Sequence, residues 1–123
     1  MRILITGGSG FIGSNLIIRA VNAGHEVLNL DALTYASCQD NLSSIVNDKN
    51  YNFQRVDIRN VKDVSESINS YKPNYIMNLA AESHVDRSIS NPDSFFDSNT
   101  LGVYKILESL KILKKNSKQK FKF

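Results

Sequence analysis

The sequence predicts an α/β fold of the doubly wound, parallel-sheet kind. Three observations predict it. Short β-rich runs alternate with segments of helical periodicity along the chain, which requires a parallel sheet with right-handed crossovers. A glycine cluster, Gly7-Gly8-Ser9-Gly10 followed by Gly13, separates the first run from the first helical segment. Two of the runs stop at an aspartate, Asp31 and Asp57.

Taken in order, residues 2–6 form a β-rich run ended by glycine. Residues 11–23 place Ile12, Leu16, Ile17, Ala20 and Val21 on one helical face, and Gly24 stands where a helix finds its left-handed terminator. Residues 26–30 read as a second strand leading to Asp31, and a short helix is expected near 40–47. Residues 51–56 alternate with period two. Residues 61–70 carry Val61, Val64 and Ile68 at helical spacing, and Pro73 precedes a strand at 74–79. A long last helix opens with Asn91 as N-cap, Pro92 in the first helical position and Asp93 at the positive end. Phe95, Phe96, Asn99, Val103, Ile106, Leu107, Leu110 and Leu113 continue it, and Lys120–Phe123 look like the start of a fifth strand. The expected architecture is a Rossmann-type sheet, truncated at the start of strand five, with residues 1–123 as one domain.

Composition agrees and excludes several classes. A chain of 123 residues with 41% hydrophobic content suits one globular domain. No apolar run approaches the roughly 20 residues of a membrane helix. Ile3–Ile5 is too short for the core of a signal peptide. A cytoplasmic protein without a membrane partner is expected. The single cysteine, Cys38, excludes an internal disulfide, and without a recognisable base nearby it reads as inert. The net charge of +3 is uneven: residues 105–123 hold seven lysines against one acid, Glu108. With no arginine among them, they read as the solvated end of a helix, where lysine suits the dipole, rather than as a nucleic-acid surface. No metal site is expected.

Ligands of doubly wound sheets bind beyond the carboxyl ends of the strands, so the residues after each strand carry the functional reading. After the first come two overlapping patterns, Gly8-x-Gly10-x-x-Gly13 and Gly7-x-x-Gly10-x-x-Gly13. An early glycine permits the tight turn. Gly10 lets main-chain N–H groups approach a pyrophosphate, and Gly13 lets the helix pack closely. After the second strand, Asp31 suits the adenosine ribose hydroxyls and would repel a 2′-phosphate, which favours NAD over NADP. After the third, Asp57 and Ile58 either frame the adenine or cap the next helix. After the fourth comes Leu79-Ala80-Ala81-Glu82-Ser83-His84, whose small residues let the backbone run under a cofactor. His84 is open to reading as a general base or as a loop histidine. Glu82 with Asp86 is open to reading as a catalytic pair or as part of a loop bonded to itself and to Arg87. Asn99, on the apolar face of the last helix, is expected to be buried and hydrogen-bonded to a strand or to the cofactor-binding backbone.

With these residues placed, the chain resembles the extended short-chain dehydrogenases/reductases, the NAD-dependent epimerase/dehydratase family, and within it the nucleotide-sugar 4,6-dehydratases. The resemblance covers essentially the whole chain. Its blocks are residues 3–14, the more selective Asp31-Ala32-Leu33-Thr34-Tyr35-Ala36, and the most selective, residues 79–89. It implies that Phe11 and Ile12, with Gly7, Gly10 and Gly13, meet the NAD diphosphate. Asp31, Ala32, Leu33 and Thr34 would hold the adenosine ribose, and Asp57 and Ile58 the adenine. Leu79, Ala80, Ala81, Glu82 and Ser83 would run beneath the cofactor, Ser83 and His84 beside the sugar nucleotide. Ser98 stands where the family commonly has threonine, and Ser37 where it often has glycine.

The implied reaction takes a hydride from C4 of the glucose of dTDP-glucose, eliminates water across C5 and C6, and returns the hydride to C6. The implied assembly is a homodimer. The family's Tyr-x-x-x-Lys pair is expected to be missing: none of Tyr35, Tyr51, Tyr71, Tyr75 and Tyr104 has lysine four residues on. The chain is therefore expected to hold cofactor, to lack the catalytic residues and the substrate-binding lobe, and to be inactive alone. Another extended-family epimerase, or a non-catalytic NAD-binding module, remains open on the sequence.

Overall fold

The computed structural model describes residues 1–116 and 122–123. Strands β1 (Arg2–Thr6), β2 (Glu26–Asp31), β3 (Tyr51–Arg55) and β4 (Tyr75–Asn78) alternate with helices α1 (Phe11–Asn22), α2 (Val61–Tyr71), α3 (Val85–Ser90), α4 (Pro92–Phe96) and α5 (Val103–Asn116). The sheet order is β3-β2-β1-β4, all parallel. The chain first steps outward from β1 and then crosses back to its other side. The switch point therefore falls between β1 and β4, where such sheets bind ligands.

Both faces of the sheet are covered, which is why β1 and β2 read as continuous apolar runs. Their side chains alternate between two cores. Ile3, Ile5 and Val27 join Ile17, Ala20 and Val21 of α1, with Leu42 and Ile45 beneath. Leu4, Leu28 and Leu30 join Val64 and Ile68 of α2, Ile76 of β4 and Ile106 and Leu110 of α5. β3 lies at an edge, and its burial is correspondingly partial.

Several elements depart from expectation. The segment near 40–47 forms only a short 3-10 turn, Gln39–Leu42. Ile12, assigned to the buried face of α1, is 70% exposed because it sits at the helix's open end. The 85–90 segment, expected as loop, is the helix α3, which buries no residue. Its helicity thus left no apolar periodicity to read. The last helix is interrupted by a π-helical segment, Asp97–Gly102, between α4 and α5. Pro92 does open α4, but the Asn91 side chain makes no cap bond. Asn60 caps α2 instead, accepting from the N–H groups of Lys62 and Asp63. Of the expected fifth strand, Lys120 and Phe121 lie outside the described residues. Lys122 pairs in parallel with Tyr75 at the outer edge of β4.

Candidate functional site

The glycine turn is built by close approach. Gly7 has φ +67°, and a Cβ there would lie 2.6 Å from the Ala80 nitrogen. One on Gly8 would lie 2.2 Å from Asn29 Oδ1, and one on Gly13 2.3 Å from the Gly7 carbonyl. These three positions press the turn onto β4, β2 and α1. Gly10 is different: beyond its chain neighbours a Cβ would meet only the Gly7 oxygen, at 3.3 Å. Gly10 lines the cleft, and as N-cap of α1 it offers no side-chain partner to the first-turn N–H groups. No acid stands in that turn, so the helix presents bare donors to an anion. Phe11, 82% exposed, and Ile12 flank it.

Asp31 ends β2 against this turn and is only 5% exposed. Its Oδ2 accepts from the Ser9 N–H at 2.9 Å, and its Oδ1 from the Leu33 N–H at 2.8 Å and the Ser37 hydroxyl at 2.7 Å. The Cys38 N–H donates to the Ser9 carbonyl at 2.9 Å, a second tie between the loop and the glycine turn. Leu33, at φ +56°, turns the chain. It is the one expected cofactor residue that does not line the cleft. Its contribution is a backbone donor to Asp31.

Beyond β3, Asp57 and Ile58 line the cleft. Asp57 does not cap α2. It holds Arg59 through both carboxylate oxygens, at 2.6 Å to Nη2 and 3.0 Å to Nε. Those hydrogen bonds hold its carboxyl below the ordinary carboxylate range. Gly102 brings the last helix onto Ile58, whose Cδ1 would lie 2.7 Å from a Cβ at that position.

At β4, the Thr6 hydroxyl accepts from the N–H groups of Leu79 and Ala80, fixing where the strand leaves the sheet. Leu79 through His84 then run along the cleft. Asn99 grips Glu82 on both sides: its amide donates to the Glu82 carbonyl and its oxygen accepts the Glu82 N–H, each at 2.8 Å. The expected tie to the cofactor-side backbone is present, but Asn99 is exposed rather than buried. The π-helical segment that carries it also places Ser98 in the cleft.

A contact that sequence reasoning missed closes one end. The Tyr35 hydroxyl donates to Glu82 Oε2 at 2.7 Å. The Arg87 guanidinium lies 3.6 Å from the Tyr35 ring centroid, and the His84 ring stands 5.6 Å from it. Glu82 holds the Tyr35 phenol above its ordinary range. Arg87 therefore stacks on Tyr35. Among the described residues the ion pairs are Asp57–Arg59 and Glu108–Lys111, so the expected bonding of Glu82 and Asp86 to Arg87 is not found. His84 is exposed and N-terminal to α3. Arg59, Ser37, Ala36, Leu30 and Val56 also line the cleft and were not anticipated as lining residues. The sequence signal for Arg59 was its place two residues after Asp57.

The result is one cleft of about 590 Å³ at the switch point, bringing together the glycine turn, Asp31, Asp57 and the 79–84 segment. A doubly wound parallel sheet with an uncapped helix N-terminus and a buried acid over one cleft defines a Rossmann-type α/β protein. The chain belongs to the family described as GDP-mannose 4,6 dehydratase, whose model matches residues 4–123. It is 45% identical over 109 residues to a dTDP-glucose 4,6-dehydratase of Salmonella typhimurium, covering 88% of this chain and 30% of that protein. Among solved structures it is similar to the dTDP-glucose 4,6-dehydratase DesIV of Streptomyces venezuelae, solved with NAD bound. That match has TM-score 0.80 and 38% identity, and covers 89% of this chain and 35% of the other. It is also similar to a Thermus thermophilus UDP-glucose 4-epimerase in complex with NAD, with TM-score 0.81 and 32% identity over 93% of this chain and 35% of the other. The chain spans about a third of the length of the curated relatives it matches.

Proposed function

We propose that residues 1–123 are the NAD-binding domain of a dTDP-glucose 4,6-dehydratase. The carrying observation is the shared cleft: the open N-terminus of α1 and the buried Asp31 carboxylate stand together at the switch point. The cleft fits the dinucleotide, since Gly10 leaves its cleft side without a Cβ and small residues, Ala80 and Ala81, line the β4 side. Bound NAD would supply hydride acceptance and return. The chain's own residues would bind and orient it. The first-turn N–H groups at Phe11 and Ile12, with Gly7 and Gly13 shaping the turn, would face the diphosphate. Asp31, Ala32 and Thr34 would take the adenosine ribose, with Leu33 holding Asp31. Asp57 and Ile58 would frame the adenine. Leu79 to Ser83 and Ser98 would lie along the cofactor, and Ser83 with His84 beside the nucleotide sugar.

The dehydratase reading over the epimerase rests on the 79–89 segment and on the higher identity to dehydratases. A homodimer and a cytoplasmic location belong to the same proposal. Exposed Phe96, Tyr104 and Leu107 supply apolar surface for a partner copy, and no described helix is long and apolar enough to cross a membrane. Lys105 donates to the Arg59 carbonyl and Lys111 pairs with Glu108, which supports a structural role for these two lysines rather than nucleic-acid binding.

Calorimetry with NAD tests the proposal. Saturable heat is expected with this chain, and no 4-keto sugar is expected on adding dTDP-glucose, because no tyrosine here has its lysine partner. Absence of NAD binding, or turnover by this chain, would overturn it. In the complete enzyme, a C4 epimer in place of a 4-keto product would assign the epimerase reading.

A further inference from the structure

The interior of β2 reads Val27-Leu28-Asn29-Leu30, an apolar run with one polar side chain in it. Asn29 is 0% exposed. Its amide nitrogen donates to Ser9 Oγ and to the Tyr51 hydroxyl, each at 3.2 Å. Its Oδ1 has no hydrogen-bond partner among the described residues and lies so close to Gly8 that no Cβ fits between them. An unpaired buried acceptor costs stability, and a branched apolar side chain suits a strand covered on both faces without that cost. The core therefore does not call for asparagine here, and the groups that its amide reaches do. Ser9 is the one residue with a side chain in the turn Gly7-Gly8-Ser9-Gly10, and it too is 0% exposed. Its N–H and carbonyl are tied to the 31–38 loop, through the Asp31 carboxylate and the Cys38 N–H. Its hydroxyl is tied instead to the interior of the sheet, and Tyr51 of β3 steadies the other proton of the same amide.

We propose that Asn29 is a positioning residue for the glycine turn, holding Ser9, and through it the N–H groups that open α1, where a diphosphate meets them. The inference rests on the NAD reading of the cleft and carries it to a side chain that touches no ligand. Without the amide, the Ser9 hydroxyl loses its donor while still buried. A buried polar group without a partner is costly, and turning Ser9 toward the water of the cleft relieves that cost. The Ser9–Gly10 peptide turns with it, and the donors that follow Gly10 fall out of line with an anion. The adenosine end of the cleft, at Asp31 and Asp57, does not depend on this bond.

Dissociation constants for NAD and for adenosine, which has no phosphate, test it on this chain and its variants. Asn29→Val is expected to weaken NAD about tenfold, the worth of one net hydrogen bond to the diphosphate. The adenosine constant is expected to stay within about twofold, a split that a merely structural asparagine would not produce. Ser9→Ala is expected to weaken NAD to a similar extent. In that background Asn29→Val is expected to add less than about twofold, because its effect runs through Ser9. If Asn29→Val does not fold, Tyr51→Phe carries the test. It leaves Asn29 in place with one amide proton released, and is expected to weaken NAD about threefold, a fraction of one hydrogen bond, with adenosine unchanged. Unchanged NAD binding in Asn29→Val, equal losses for NAD and adenosine, or the full loss repeated in the Ser9→Ala background would overturn the proposal. Absence of NAD binding by the unsubstituted chain would instead overturn the reading of the cleft, and this inference with it.

Discussion

Tyr71, at the end of α2, packs against the core that this helix shares with the sheet. Burial pushes its phenol up to about 12, from an ordinary value near 10. A group whose folded value is raised contributes stability that is complete below its unfolded value and disappears as pH rises through the folded one. The window for Tyr71 is therefore about pH 10 to 12. Over that range the unsubstituted chain is expected to lose stability more steeply than Tyr71→Phe, which has no proton to release. Urea midpoints for both proteins at pH 9, 10.5 and 11.5 measure this, and parallel profiles would refute it. Val64 and Ile68 of the same helix were legible as core positions, because their spacing carries them, whereas Tyr71 fell just beyond the expected helix. The partners of Tyr35 were not legible. Its contacts with Glu82, His84 and Arg87 span roughly 50 residues of sequence, and nothing local records them.

At the scale of elements, the join between β1 and α1 separates folding from binding. The Gly13 side of α1 touches the turn backbone: a Cβ would lie 2.3 Å from one carbonyl oxygen and 2.7 Å from the Gly8 Cα. Gly13→Ala is expected to cost about 1–3 kcal/mol of stability, overriding the helix propensity that alanine gains. Gly10→Ala meets only one atom, at 3.3 Å, and is expected to keep stability within about 0.5 kcal/mol while weakening NAD at least tenfold. Denaturant midpoints together with NAD titration give both readouts, and equal stability losses in the two variants would sink the distinction. The glycine spacing made this join readable, since close backbone approach admits few other residues. The 85–102 region was not readable in the same way. Pro92 did mark the start of α4, but α3 buries no residue, so no apolar stripe marks it. The π-helical segment is associated with tertiary bonds from Asn99 to Glu82 rather than with a local signal.

For the molecule as a whole, the sheet was legible because covering both faces leaves an unmistakable apolar signature in β1 and β2, while the rim of the cleft is held by polar ties between loops. Those ties join the glycine turn to the 31–38 loop, the 31–38 loop to Glu82, and Glu82 to the last helix. Elements that bury little open at low free energy, so α3 and the loops around it are expected to exchange their amide hydrogens well before β1 and β2. A ligand that contacts the folded cleft but not the unfolded chain stabilises in proportion to its occupancy, by about 2.7 kcal/mol at a hundredfold excess over Kd. In a domain of this size that raises Tm by roughly 10 °C. NAD is therefore expected to raise Tm by that amount and to slow exchange at the glycine turn and along 79–90 together, since one dinucleotide would span the loops that the polar ties only link in pairs. A Tm unmoved by saturating NAD, or protection confined to the glycine turn, would show that the rim does not close on the ligand as one unit.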